Sequence, residues 1–224
     1  MNKQGIGKID WTDYTWNPVT GCLHGCEYCY MKRLETRFGM SMDPKFHEKR
    51  MNDIAKLKEP SKIFVCSTGD LWGKWVEIEW IAPILMVCKD HPQHTFQFLT
   101  KNPRGYMGYA IPKNCWVGLT IDGSERGIDI LDKIQWLYRQ KTEGNTTFIS
   151  FEPLLDFVDA DVLDGLNPDW FIIGANSNRG ADKPEEFWAT ALIEYARKNN
   201  IAVWVKDNYQ YHTKIKEFPQ ETNA

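Results

Sequence analysis

Three of the six cysteines in this 224-residue chain, Cys22, Cys26 and Cys29, fall within one short run at the spacing C-x3-C-x2-C. Thiolate is a soft, strongly binding ligand, and cysteines clustered this tightly point to a metal ion or an iron–sulfur cluster. A four-iron cluster held by three cysteines leaves one iron open to a substrate or cofactor. Zinc is the rival, but a closed structural zinc site takes four ligands and this run supplies three. His24 is a fourth donor by composition, yet it lies inside the loop, where reaching the same ion is difficult. A purely structural group of thiols is the third reading.

The flanking sequence must present these thiols. Residues 8–21, KIDWTDYTWNPVTG, mix β-formers with turn residues and predict a short strand that delivers the chain to Cys22. From Tyr30 to Phe38, YMKRLETRF sets Met31, Leu34 and Phe38 at helical spacing, and Gly39 can end the helix. The cysteines therefore belong to a loop running into a helix N-terminus, where backbone N–H groups favour the negative charge of thiolates. Residues 40–60 are charged and irregular, punctuated by Pro44 and Pro60.

Beyond them, compact apolar runs predict buried strands at 62–68, 95–101, 115–121, 146–154, 169–176 and 201–208. Helices are expected over about 76–89, 124–140, 160–166 and 184–200, with a Pro-led helix or turn from Pro103. This alternation is the mark of an α/β fold, a parallel sheet covered by helices. An open or partial (β/α) barrel and a doubly wound sheet both satisfy it. No internal repeat or low-complexity linker divides residues 1–224, so one domain is expected, with its core at about 8–208 and a tail over 209–224.

In such folds the site lies at the C-terminal ends of the strands. Those ends are polar here: Ser67, Thr68, Gly69 and Asp70; Thr100 and Lys101; Thr120 and Asp122; Ser150 and Glu152; Gly174 and Asn176; Lys206, Asp207 and Asn208. Each alone reads equally well as an ordinary cap or loop start. Together, on the rim expected to carry the cysteine loop, they read as a functional pocket.

Bulk composition narrows the class. Hydrophobic content is 42% and charged content 25%, ordinary for a globular protein, and the net charge of −3 gives no globally basic surface for nucleic acid. Aromatic content is 13%, with ten tryptophans. Trp72, Trp75, Trp116, Trp204, Tyr209 and Tyr211 could stack a nucleobase, although core and rim packing is the favoured reading. The start, MNKQGIGKIDW, has no apolar signal region, and no apolar run is long enough to span a membrane. Cys66, Cys88 and Cys115 sit in apolar stretches and read as buried thiols in a reducing, cytoplasmic setting.

The cysteine spacing, with Tyr28 just before the last cysteine, resembles the cluster motif of the radical S-adenosylmethionine (radical SAM) superfamily. The flanks TWNPVTGC, KIFVCSTGDLW, HTFQFLTKNP, NCWVGLTID, FISFEPLL and DWFIIGAN resemble a phage-associated three-cysteine family within it. The resemblance covers about residues 8–208. It implies a partial (β/α)6 TIM-like barrel with a [4Fe–4S] cluster on Cys22, Cys26 and Cys29 and S-adenosyl-L-methionine on the fourth iron. It also implies an external electron donor of flavodoxin or ferredoxin type. Reductive cleavage of the sulfonium would give a 5′-deoxyadenosyl radical that abstracts hydrogen from a substrate. By the same resemblance Tyr28 lies near the adenine, and Ser67, Thr68, Gly69 and Asp70 near the methionine amino group. Thr120, Asp122 and Glu152 are candidates for ribose or substrate contacts, and Asn176 is a further candidate for cofactor binding. Lys101 and Lys206 are candidates for the methionine carboxylate or an anionic substrate. A nucleobase, nucleotide or modified DNA base is the leading substrate expectation. A peptide or amino-acid group is the alternative, and a non-catalytic zinc or iron–sulfur module binding nucleic acid or protein is the rival of a different class.

Overall fold

The computed structural model describes residues 1–5, 7–125 and 127–220. Its strands are β1 (Asn2–Lys3), β2 (Tyr14–Trp16), β3 (Val19–Thr20), β4 (Lys45–Phe46), β5 (Lys62–Val65), β6 (Thr95–Thr100), β7 (Cys115–Thr120), β8 (Thr147–Phe151), β9 (Trp170–Ile173) and β10 (Ala202–Val205). The helices are α1 (Tyr30–Phe38), α2 (Ile78–Asp90), α3 (Gly127–Thr142) and α4 (Glu186–Lys198). A mostly parallel eight-stranded sheet has the order β1-β2-β5-β6-β7-β8-β9-β10, and β3 pairs with β4 separately. From β2 onward the strands lie side by side in chain order. A doubly wound sheet would reverse that order at a switch point. This order is of the barrel type, as expected of a radical SAM fold.

Two compact units divide the chain, residues 1–117 and 118–224. In the first, β2, β5 and β6 run parallel, with Trp16 opposite Val65 and Phe64 opposite Gln97. Trp16, Ile63, Phe96 and Phe98 from these strands are fully buried, with Trp11, Trp72 and Tyr106 from the adjoining loops. In the second, every residue of β8 and β9 is buried, and β8, β9 and β10 run parallel. Gly118 on β7 leaves room for a ring, since a Cβ there would lie 2.5 Å from Phe148.

Helix α1 forms over the predicted residues. Gly39 ends it at φ +64°, its N–H donating to the Glu35 carbonyl at 2.8 Å. The predicted strands and helices recur with ends shifted by a few residues, and Pro103–Tyr106 and Ala160–Leu163 are 3-10 turns. One segment departs from expectation. Residues 40–60 are not irregular: they hold β4 and a nine-residue 3-10 helix, Glu48–Lys56, that buries Ile54. In the C-terminal tail, Ile215 and Glu217 hydrogen-bond Val205 and Val203 and cover the edge of β10. Residues 221–224 of the expected tail lie outside the described residues. No helix among the described residues is long and apolar enough to cross a membrane.

Candidate functional site

Because β2, β5 and β6 are adjacent and parallel, the segments that follow them leave the same sheet edge together. The loop after β2 carries the cysteines, and the loop after β5 is Ser67–Asp70. Their backbones touch: the Gly21 N–H donates to the Thr68 carbonyl at 3.0 Å, and Gly21 and Gly69 form an isolated parallel bridge. Both positions need glycine. Gly21 has φ +87° and a Cβ on it would lie 2.1 Å from the Asp43 carbonyl oxygen, while one on Gly69 would lie 2.8 Å from the Gly21 oxygen. Asn17, at the end of β2, fastens the second loop by accepting from the Ser67 hydroxyl and the Thr68 N–H, each at 3.1 Å. Cys66 turns the chain into that loop at φ +59°, unusual for a residue with a side chain.

The three motif cysteines are half-buried and free of disulfides. Burial pushes the Cys22 thiol up to about 12, with the charges of Asp70, Cys26 and Cys29 adding to the rise and the His24 N–H opposing it. Neighbouring negative charge therefore adds to the cost of ionising Cys22, which a bound cation would reverse. Cys29 is the N-cap of α1, makes no side-chain cap, and is followed by a first turn without an acidic residue. The positive end of the helix is thus left for the thiolates. Tyr30 donates its hydroxyl to the Ser67 carbonyl at 2.7 Å, and Lys32 reaches back to the Gly25 carbonyl at 2.8 Å.

Among the described residues, no three of His, Cys, Asp and Glu converge as ligands of one metal ion. The donor set is three free thiols, the soft ligand type that an iron–sulfur cluster takes. His24 is engaged elsewhere. Its Nε2 lies 2.7 Å from Asp70 Oδ2 and its ring meets Trp75 edge-on, with centroids 4.7 Å apart. Asp70, 5% exposed, also accepts from the Thr100 hydroxyl at 2.8 Å, the Lys101 N–H at 3.1 Å and the Trp72 N–H at 3.0 Å. The Lys101 ammonium stands 5.3 Å from the centre of the Tyr28 ring. Tyr28, Ser67, Thr68, Gly69, Asp70 and Lys101 thus gather around the cysteine loop in the first unit.

In the second unit, Glu152, Gly174 and Lys206 follow β8, β9 and β10. The Lys206 ammonium pairs with Glu152 Oε1 over Gly174, where an added Cβ would lie 3.0 Å from both side chains. Thr120 is buried. Asp122 accepts from the Ser124 N–H at 3.0 Å and hydroxyl at 2.5 Å, and Asn176 from the Asn178 N–H at 3.0 Å. These last two are side chains bonded to backbone two residues on, the geometry of an Asx turn. Trp72, Trp116, Trp204 and Tyr209 are buried packing residues, Trp75 packs on His24, and the Tyr211 hydroxyl lies 3.2 Å from that of Thr190. Asn17 and the joining of His24 to Asp70 were missed in the sequence. The Asn-Pro pair just after a strand marks Asn17 as a turn residue, whereas nothing local links His24 to Asp70.

Comparison with solved structures finds the radical SAM fold of spore photoproduct lyase. A single-residue mutant of that enzyme aligns with a TM-score of 0.59 at 12% identity, over 91% of this chain and 80% of that one. A double mutant with bound AdoMet and dinucleoside spore photoproduct aligns at 0.54 and 13%, over 88% and 66%. A cysteine-to-serine mutant aligns at 0.56 and 13%, over 77% and 59%. The chain thus spans about three fifths to two thirds of the length of two of these neighbours. No curated protein matches the sequence. A family model described as "Protein of unknown function (DUF5131)" matches residues 6–223, and the chain belongs to that family.

Proposed function

We propose that the protein is a radical S-adenosylmethionine enzyme whose Cys22, Cys26 and Cys29 hold a [4Fe–4S] cluster with one iron left for S-adenosyl-L-methionine. The observation that carries this is three free thiols at C-x3-C-x2-C, set at an uncapped helix N-terminus in a fold similar to that of spore photoproduct lyase. When bound, the cluster and S-adenosyl-L-methionine supply one-electron cleavage of the sulfonium and a carbon radical able to take hydrogen from a substrate.

The chain's own residues bind and shield. Gly21 and Gly69 let the two loops meet, Asn17 and Tyr30 hold Ser67 and Thr68 beside the thiols, and Tyr28 with Lys101 forms an aromatic and cationic wall. In the second unit, Glu152 and Lys206 offer a carboxylate and an ammonium to polar groups of a ligand. The substrate we infer is a nucleobase, as part of a nucleotide or of DNA; the support is the fold shared with an enzyme solved with a dinucleoside photoproduct. An external donor of flavodoxin or ferredoxin type would deliver the electron, in a cytoplasmic setting that keeps the thiols reduced.

Anaerobic reconstitution tests the reading. The expected result is a brown protein with about four irons per chain, lost in Cys26→Ala. It should also form 5′-deoxyadenosine from S-adenosyl-L-methionine under dithionite. A colourless protein with one tightly held zinc would overturn it. Transfer of deuterium from a deuterated oligonucleotide into 5′-deoxyadenosine tests the substrate class. Failure of DNA and nucleotides alike to give that transfer, with turnover on a peptide, would replace it.

A further inference from the structure

Both outer ends of the cysteine loop are held by backbone. Gly21 donates to Thr68, Cys22 donates to the Met42 carbonyl at 2.9 Å, and at the far end the chain enters α1. Between Cys22 and Cys26 the support comes from side chains, with Lys32 donating to the Gly25 carbonyl at 2.8 Å. Leu23 is 53% exposed, Gly25 has φ +71° with nothing within 4 Å of an added Cβ, and this loop must nonetheless set the distance between two thiols. Inside it stands His24, the residue whose ring reaches Asp70.

We propose that His24 and Asp70 form a strut that positions the C-x3-C segment for its metal cluster, with His24 a positioning residue and not a ligand. The proposal rests on the cluster reading above and deepens it. Two observations carry it. First, the ring is fixed on two sides, by the 2.7 Å bond to Asp70 and by the edge of Trp75, so the loop is held by a rigid side chain. Second, the far end of the strut does not yield. Asp70 is buried and receives Thr100, Lys101 and Trp72 as well, which ties it to the end of β6 and to its own loop.

Asp70 is also committed to this network. Three donors share its Oδ2, more than that oxygen's two lone pairs, and the Trp72 N–H takes one site on Oδ1. An amino group of a bound cofactor arriving at Oδ2 would have to displace one of them. Supports that orient metal ligands without touching the metal are a general feature of metal sites, and their loss costs about 10–100-fold in metal affinity.

The test compares wild type, His24→Ala, His24→Gln and Asp70→Asn, each reconstituted anaerobically. Glutamine keeps an N–H donor at about the reach of the imidazole. Expected are iron release to a chelator about 10-fold faster in His24→Ala and Asp70→Asn, partial rescue in His24→Gln, and no further loss in the double variant. Amide hydrogen exchange of the metal-free protein should rise across residues 22–26 in His24→Ala, while its melting temperature stays near wild type. Wild-type iron retention in His24→Ala, or additive losses in the double variant, would overturn the strut. So would an Asp70→Asn protein that keeps its iron but no longer binds S-adenosyl-L-methionine. If wild type itself takes up no iron, the cluster reading fails instead, and the hydrogen-exchange arm alone still decides whether His24 orders the loop.

Discussion

Two carboxylates follow strands of the same sheet, Asp70 after β5 and Glu152 after β8, and each has a basic partner. Asp70 is 5% exposed and accepts from four donors. The Glu152 side chain is 22% exposed, takes Lys206 on Oε1, and its Oε2 carries no hydrogen bond among the described residues. The first group is buried and crowded at Oδ2, and the second has a whole oxygen left. A carboxylate engaged by many donors orders its surroundings, whereas one with a free oxygen can still meet a ligand. On the proposed reading, two groups that look alike in sequence divide into one that positions and one that binds.

The comparison breaks most visibly at Asp70. Asp70→Ala strands the Thr100 hydroxyl and two N–H groups in a buried place, and about 3–5 kcal/mol of stability should be lost. Glu152→Ala should cost about 1 kcal/mol, because its pair remains partly hydrated. Chemical denaturation of the two variants measures the contrast. Equal losses would mean that Glu152 is as structural as Asp70. The complementary arm is ligand affinity: Glu152→Gln should weaken S-adenosyl-L-methionine or substrate binding while leaving the denaturation midpoint close to wild type.

Glycines give a second cut at the same difference. Gly69→Ala sets a Cβ against the Gly21 backbone oxygen at 2.8 Å, and neither backbone can move without displacing the cysteine loop. A loss of about 2–3 kcal/mol is expected, together with weaker iron retention. At Gly174 the Cβ meets Glu152 and Lys206 side chains at 3.0 Å, which can shift, so Gly174→Ala should cost about 1 kcal/mol or less. A Gly174 variant as damaged as the Gly69 one would show that the Lys206–Glu152 pair is held as rigidly as the cysteine cradle.

What the sequence disclosed follows the same division. Elements that bury apolar residues in a regular pattern were legible: β5 to β10 as compact apolar runs, and α1 through Met31, Leu34 and the stop at Gly39. The 3-10 helix Glu48–Lys56 was not, because it buries Ile54 with neither a helical nor a strand period. Nor was β1, whose two residues are exposed and held by backbone pairing to β2. In the site, three cysteines within eight residues are a local signal. The partners of Asp70 are His24 and Thr100, 46 and 30 residues away, and only the register of β2, β5 and β6 brings them together. The polar strand ends were read as one pocket rim. Asp122 and Asn176 bond their own backbone two residues on, and residue type alone does not separate such a turn from a ligand contact.

The smallest effect expected is at the edge of the second unit. Glu217 clamps the C-terminal segment onto β10: its N–H donates to the Val203 carbonyl, its carboxylate accepts from the Val203 N–H, and its carbonyl accepts from the Trp170 indole. Arg197 on α4 grips the same carboxylate through both terminal nitrogens at 2.7 Å. That guanidinium, with the Val203 N–H and against some burial, holds the Glu217 carboxyl below its ordinary value. A depressed carboxylate stabilises the fold above its unfolded pKa, and the contribution is lost as pH falls through the folded one. Both side chains are well exposed, 49% and 40%, so water and salt screen the pair, and about 0.5 kcal/mol is expected. Thermal melts of wild type and Glu217→Gln should therefore differ at pH 7 and converge as pH falls below about 4, with the pH 7 difference shrinking in 1 M salt. Coincident pH profiles would show that the backbone pairing of residues 215–217 alone closes the edge. A difference surviving high salt would make this clamp a buried anchor of the kind Asp70 provides.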